Sequence, residues 1–452
     1  MTASAVTRFV PALLAVVVLA AAGVLPASAV TIAEVKSPGG ITAWLVEDHS
    51  VPIVSASIIF RGGAALDPDD KAGLANLTTE LLDEGAGDLD TTAFQSKLED
   101  LSSALDIETG QDTISTQLRT LSANVAPTFD LLRLALTAPR FDAEPVERMR
   151  SAVLAALGRD QRQPVAIASR LWWKTAFAGH PYGRSTRGTP DSVAHITPDD
   201  MRGLVRARFA KDVLVIGVVG DITPAALGPL LDQTFGSLPD HAAPDTLTDV
   251  QMRRSNDVMV SELNIPQSVV EFGQQGLKRN DPDWYAALIV LNILSAGGLS
   301  SRVALEVREE RGLAYSISAS LNPLQHAGII LGQVGSQNAH VAESVELIRR
   351  AWRRMHDSGP TAKELADAKT YLTGSYALSL DSTQRIASVL VAIQLDHLGI
   401  DYLDQRNALI EKVSLADARR VAKRLLDPDG LSFVVVGSPT NLSDAQHVTP
   451  GG

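Results

Sequence analysis

Two stretches of this chain, 217 residues apart, repeat each other without a gap, and this repetition limits the available folds more than any other feature. Near residue 197 the chain reads ITPDDMRGLVRARFAKDVLVIGVVGD, and near residue 414 it reads VSLADARRVAKRLLDPDGLSFVVVGS. Thr197, Asp200, Arg202, Phe209 and Gly220 fall 217 positions ahead of Ser414, Asp417, Arg419, Leu426 and Gly437. In each copy a Ser or Thr stands three residues before an Asp, the pattern of a helix N-cap with an acidic first turn. Pro198 takes the first helical position, where its missing N–H costs nothing. Each helix then runs into a β-branched strand, VLVIGVV or LSFVVVG. An acidic helix start near Glu144 has a counterpart near Glu364. Capping signal, amphipathic helix and strand recurring in register indicate an internal duplication.

The duplication splits 452 residues into two domains of about 200 each. An N-terminal domain is expected over residues 30–237 and a C-terminal one over 258–452. The linker, 238–257, is polar and carries two prolines. In the first half, ITAWLVE and IVSASIIF read as strands. Helical periodicity follows at 71–83, 91–104, 126–137, 144–159 and 164–177. The polar alternating stretch 112–119, DTISTQLR, reads as a strand and a candidate edge for peptide binding by strand addition. Strands, then a run of helices, then a final strand give an α+β class. Each homologous domain is expected to be a mainly antiparallel sheet with layered helices.

Residues 1–29 read as a secretory signal peptide. Arg8 is the only charged residue before Glu34, an apolar run spans 9–25 with Pro11 inside it, and Pro26-Ala27-Ser28-Ala29 is a small-x-small cleavage pattern. An uncleaved anchor is the alternative, although a run of seventeen is short for a span. The expectation is an exported, periplasmic protein with no membrane association after cleavage. There is no cysteine, hence no disulfide, thiolate zinc site or cysteine nucleophile. Asp and Glu number 52 against 40 Lys and Arg, a net charge of −12 that argues against a nucleic-acid partner.

The segment FRGGAALDPDDKAGLANLTTELLDEGAG resembles the pitrilysin/insulinase family of zinc metallopeptidases, which includes the mitochondrial processing peptidase. The resemblance implies a helix bearing H-x-x-E-H, with two zinc-binding histidines one turn apart and a glutamate as general base. Here the first histidine position is Asn76, the base position Thr79 and the second histidine position Glu80. The family's third ligand, a glutamate in a V-L-x-E-type helix, corresponds to Ala156. The histidines agree without any family argument. The nine are at least fourteen residues apart, so no helix presents two at i, i+4. Glu80, Asp83 and Glu84 read either as a carboxylate cluster for a hard cation or as a solvated helix end. No loop rich in Asp, Asn and Gly supports the former. No metal or cofactor is therefore expected in this chain.

Two further segments carry the resemblance. HPYGRSTRG, from His180 to Gly188, matches the family's H-P-Y-G loop and reads as a structural turn. GGLSSRVALEVREERGLAYSISASL matches a second-domain segment and retains Arg308 and Tyr315. Helical spacing over 300–310 and strand alternation from 313 to 320 could aim both side chains at one space. The resemblance implies that this pair binds substrate opposite the zinc helix, and that some bacterial members divide the work between two chains. Alternatively, Arg308 pairs with Glu306, Glu309 or Glu310, and Tyr315 is a half-buried strand residue. The leading expectation is a non-catalytic subunit that joins a zinc-bearing paralogue in a peptide-degrading heterodimer. Zinc would sit in the partner, and Arg308 and Tyr315 would act in trans. A homodimer, a structural or peptide-binding protein without enzymatic output, and an active enzyme with a relocated metal site are the other readings.

Overall fold

The computed structural model describes residues 31–309, 314–442 and 444–449, without the side chains of residues 299, 308, 309 and 314–316. The segment read as a signal peptide lies outside the described residues. The first half contributes β1 (Ala33–Lys36), β2 (Thr42–Glu47), β3 (Ile53–Arg61), a ribbon of β4 (Gly85–Ala86) and β5 (Leu89–Asp90), then β6 (Ala104–Thr109), β7 (Thr113–Leu121) and β8 (Leu214–Gly220). Six of them form one sheet, ordered β1-β2-β8-β3-β7-β6, antiparallel except where β2 meets β8. The second half contributes β9 (Val258–Glu262), β10 (Gln267–Gln275), β11 (Ala314–Pro323), β12 (Gly328–Gln337), β13 (Ser432–Gly437) and β14 (Gln446–His447). Read from β14, their order is β14-β9-β13-β10-β12-β11.

The two orders superpose strand for strand. β9, β13, β10, β12 and β11 take the places of β2, β8, β3, β7 and β6, with a parallel pair at the same step. Only the outermost strand differs: β1 comes from the start of its half and pairs antiparallel, β14 from the end and pairs parallel. The repeated helices are Pro198–Arg208 and Leu415–Leu425. Each closes a full capping box, Thr197 with Asp200 and Ser414 with Asp417. The chain is thus two homologous α+β domains. Each sheet packs one face on its own helices, around Phe60, Phe129 and Phe209 in the first half and Phe272, Trp352 and Phe433 in the second.

The opposite faces are covered by exchange. Helix Pro164–Ala176, from the first half, lies on β10 and β13 of the second; helix Thr383–Leu395, from the second half, lies on β3 and β8 of the first. Leu171 and Trp172 pack with Met259, Val434 and Val436, and Ala387, Leu390 and Ile393 pack with Trp44, Val46 and Val219. Glycine permits this close approach. A Cβ on Gly273 would stand 2.4 Å from the Trp172 ring, and one on Gly217 would stand 2.8 Å from the Ala387 carbonyl oxygen. The segment expected as a linker has no helix or strand from 241 to 257, but it is fastened down. The Arg253 N–H donates to the Ala176 carbonyl and the Val250 N–H to that of His326, both at 2.8 Å.

Two expectations need correcting. β7, which takes in all of DTISTQLR but Asp112, is an interior strand paired along both sides, and the edge is β6. The helix expected over 71–83 is α-helical only from Leu74 to Thr79. Beyond it the N–H groups of Leu81, Leu82 and Glu84 reach back three residues instead of four, while Leu81 and Leu82 remain buried. The apolar spacing therefore persists through turns that no longer form an α-helix. The 91–104 helix likewise ends at Asp100, and Ser102 at φ 49° turns the chain into β6.

Glu271 of β10 lies beneath the exchanged helix Pro164–Ala176 and is 4% exposed. Burial pushes its carboxyl up to about 7, and a hydrogen bond with Ser169 opposes this only in part. The folded chain therefore holds this proton more tightly than the unfolded chain. The group's stabilising contribution is complete below the ordinary carboxylate range and is lost as pH rises through about 7. The difference is roughly 3 kcal/mol. Urea unfolding is expected to show lower stability at pH 8.5 than at pH 5. Glu271→Gln should reduce that fall and exceed the native chain at pH 8.5; an undiminished fall in the variant would assign the effect elsewhere.

Candidate functional site

The positions that the resemblance gives to the metal site, Asn76, Thr79, Glu80 and Ala156, sit on two packed helices. β3 leads through Asp67 and Pro68 into helix Leu74–Thr79, which packs on helix Ala143–Asp160. The Asp67 carboxylate, 5% exposed, caps the first helix by accepting from the N–H groups of Gly73 at 3.0 Å and Ala75 at 3.2 Å. The frame is thus set by a buried acid upstream of the positions that would carry chemistry.

Those positions do not fit a zinc ion. Asn76 is half-buried, Thr79 is 2% exposed, and Glu80 is exposed at the helix end. The Thr79 hydroxyl donates to the Asn76 carbonyl and lies 3.0 Å from the Thr109 hydroxyl of β6. Ala156 offers no donor atom. Zinc asks for three or four nitrogen, sulfur or carboxylate ligands. Among the described residues no three His, Cys, Asp or Glu side chains come together in a way that could hold a metal ion. The neighbouring acids are engaged by protein donors. Glu84 pairs with Arg148 at 2.7 Å, and Asp83 accepts from Gln95 at 3.2 Å. These acids are thus neither grouped around a cation among the described residues nor a solvated helix end, since Asp83 and Glu84 are partly buried against protein donors beyond the end of the helix.

The Arg–Tyr segment is built differently from its expected single helix. A short α-turn, Arg302–Ala304, passes into a π-turn, Leu305–Glu309, and a second π-turn lies upstream at Asn292–Ala296. Val303 and Val307 are fully buried, while Leu305 is exposed. Arg308 lies on the π-turn and Tyr315 near the start of β11, the outermost strand of its sheet; both side chains are outside the described residues. Glu306, one of the acids that could have paired with Arg308, is held by Arg354.

The His180–Gly183 loop turns out to be a clasp between the halves. Tyr182 is fully buried. Its hydroxyl donates to Asp112 at 2.6 Å, in the β6–β7 turn, and accepts from the His326 N–H at 3.0 Å, in the β11–β12 turn. Asp112 also accepts from the Gln325 N–H at 2.9 Å. Burial and the Asp112 carboxylate raise the phenol far above its ordinary value. Burial lowers the His180 imidazole, whose Nδ1 accepts from the Tyr182 N–H at 3.2 Å. His326 joins the arrangement through Asp245 at 3.0 Å and Asp249 at 3.4 Å. Asp112 and His326 carried no signal in the sequence, because their partners are 70 and 144 residues away.

Comparison with known proteins finds matches across both halves. Residues 42–190 match the family model "Insulinase (Peptidase family M16)", and residues 195–372 match "Peptidase M16 inactive domain". A Helicobacter pylori protein named "Non-peptidase homolog YmxG" is 25% identical over 92% of this chain and 95% of its own length. An uncharacterized zinc protease of Streptomyces coelicolor is also 25% identical, over 88% of this chain and 87% of its own. The crystal structure of a peptidase M16 inactive domain from Pseudomonas fluorescens superposes with a TM-score of 0.83 at 26% identity, covering 92% of this chain and 99% of that one.

The clasp generates a stability prediction. Tyr182→Phe deletes a buried hydrogen bond to a carboxylate and leaves Asp112 short of a donor, at an expected cost of about 1.5–3 kcal/mol. Urea unfolding should show this loss with the zinc content of the purified chain unchanged; a loss below a few tenths of a kcal/mol would remove the clasp role.

Proposed function

This chain belongs to the insulinase family of peptidases, M16, and we propose that within it the protein acts as a non-catalytic subunit beside a zinc-bearing paralogue. The observation that carries the proposal is chemical. The family's frame is present in both halves, while Asn76, Thr79, Glu80 and Ala156 offer a single exposed carboxylate and no ligand set. In this reading zinc belongs to the partner, the two chains form a peptide-degrading heterodimer, and Arg308 and Tyr315 contact substrate in trans. A guanidinium and a phenol are suited to donate to peptide carbonyls or to a tetrahedral oxyanion. The π-turn under Arg308 supports this, because such turns recur at functional sites. The name of the Helicobacter pylori relative, a non-peptidase homolog, is in keeping with the loss of chemistry. Export to the periplasm rests on the reading of residues 1–29. Among the described residues no helix is long and apolar enough to cross a membrane.

A second reading, a peptide-binding protein without enzymatic output, is favoured by β6. This six-residue edge strand has alternating exposure and lies beside the degenerate helix, where an extended peptide could add to the sheet.

The two readings separate in one experiment. The purified chain alone is expected to hold no stoichiometric zinc by mass spectrometry and to cleave no peptide. Added to a zinc-bearing paralogue, it should co-elute and raise peptide turnover at least tenfold. Arg308→Ala combined with Tyr315→Phe should remove most of that gain with co-elution intact. Full turnover by the double variant would exclude the role in trans, and peptide binding without any gain in turnover would establish the second reading.

A further inference from the structure

Each exchanged helix is held to the opposite half by its own contacts, and the two sets differ in chemistry. Helix Thr383–Leu395 is tied to the first sheet by neutral hydrogen bonds at both of its ends. The Thr383 hydroxyl lies 2.8 Å from that of Ser55, and the Gln394 amide donates to the Ile216 carbonyl at 3.0 Å. On helix Pro164–Ala176, Ser169 hydrogen-bonds Glu271 of β10, and the Thr175 hydroxyl meets the Met259 sulfur, a weak acceptor, at 3.6 Å. The indole N–H of Trp172 is buried without a hydrogen-bond partner among the described residues. An orphaned donor and a buried acid thus meet in one joint, and water would satisfy both.

No charge answers Glu271. It is the one titratable residue of β10, β12 and β13. Helix Pro164–Ala176 carries two cations, Arg170 and Lys174, and both line a separate cavity shared with helix Ala143–Asp160. Burial and the Ser169 hydrogen bond set the proton affinity of Glu271, with no cation among the influences on it. Solvent is nevertheless close. On the same face of the sheet, its cross-strand neighbour Gln333 of β12 and the next one, Ser318 of β11, are both exposed, so water begins one strand away.

We propose that helix Pro164–Ala176 is a proton-governed joint: it stays seated on the second sheet while Glu271 carries its proton, and it lifts from β10 and β13 when that proton passes to water, with helix Thr383–Leu395 still in place. Lifting one helix gives the carboxylate and the Trp172 N–H to solvent without global unfolding. Burial pushes the seated carboxyl up to about 7, and the lifted helix leaves it in the ordinary carboxylate range. The seated form therefore has its full advantage below the ordinary range and loses it as pH rises through about 7. That difference amounts to about tenfold more lifted helix at pH 8.5 than at pH 6. The device rests on this joint alone and is independent of the partner reading.

The native chain has no cysteine, so a single introduced thiol reports on each joint. Ala168 and Ala387 are fully buried, one on each exchanged helix. Labelling of the Ala168→Cys chain by a methanethiosulfonate reagent, divided by that of the Ala387→Cys chain, removes the intrinsic pH dependence of thiol chemistry. The ratio should rise about tenfold from pH 6 to pH 8.5 and level off beyond. With Glu271→Gln added to both chains it should stay constant. Ala176→Cys, on the same helix as Ala168, serves as a second reporter if Ala168→Cys does not fold. If Glu271→Gln does not fold, the pH profile of the two reporters alone decides. A flat ratio, an equal rise at both joints, or a rise that persists in the Glu271→Gln chains would overturn the proposal.

Discussion

Everything in this molecule depends on the exchange of two helices between its halves. A sheet with apolar residues on both faces must be covered twice. Here each half covers only one face from its own sequence and receives the second cover from the other half. Helix Pro164–Ala176 closes the β10–β13 face, and helix Thr383–Leu395 closes the β3–β8 face. Trp172, 1% exposed, and Leu390, fully buried, are therefore core residues of a domain to which they do not belong in sequence. Neither sheet could lose its cover without exposing apolar surface, so each half needs the other to complete its core. This fixes the relative placement of the β6–β7 and β11–β12 turns. Only because those turns meet can Tyr182 bridge them, and only because the exchanged helix ends there can His397 face Arg61.

The exchange is symmetric in backbone and uneven in chemistry. Under helix Thr383–Leu395 the polar groups are neutral: Gln117 donates to Ser57 at 3.0 Å and reaches Ser388 at 3.5 Å, and Gln384 hydrogen-bonds Gln117. Under helix Pro164–Ala176 the equivalent of Ser57 is Glu271, with Ser169 in the place of Ser388. None of these glutamine and serine groups titrates, while the other seam contains a carboxylic acid that burial pushes up to about 7. The duplication set the architecture, and later divergence made the two joints respond differently to their surroundings.

What the sequence made legible was local. A capping box spans four residues, and both copies showed it, so the repeated helix, the following strand and the two-domain α+β class could all be inferred. Strand position was not local. DTISTQLR alternates as either an edge or an interior strand would, and only the pairing of Ile114 with Phe60 and with Thr109 places β7 inside. The same limit applies to helix Leu74–Thr79, because burial of Leu77, Leu81 and Leu82 continues past the point where the hydrogen bonds change. Amphipathic spacing announced a buried face on 164–177 but not which sheet would receive it. The clasp and the cavity between the halves were hidden for a related reason: Tyr182 meets His326, and Arg61 meets His397, only across the two halves.

The four positions that the resemblance gives to the metal site, Asn76, Thr79, Glu80 and Ala156, are consistent with one another in physical terms. Removing an ion from a site that keeps its histidines and glutamates strands polar groups, or a net charge, in a half-buried space at several kcal/mol. Here no such debt remains. Thr79 satisfies its hydroxyl on the Asn76 carbonyl beside Thr109, Glu80 extends into solvent, and Ala156 has nothing to satisfy. The capping acid Asp67 holds the frame through its two backbone donors, Gly73 and Ala75. A helix kept in place by its cap, and relieved of every group that needed a metal, can still shape the surface beside β6. Structure and chemistry were separable in this fold because different residues carried them.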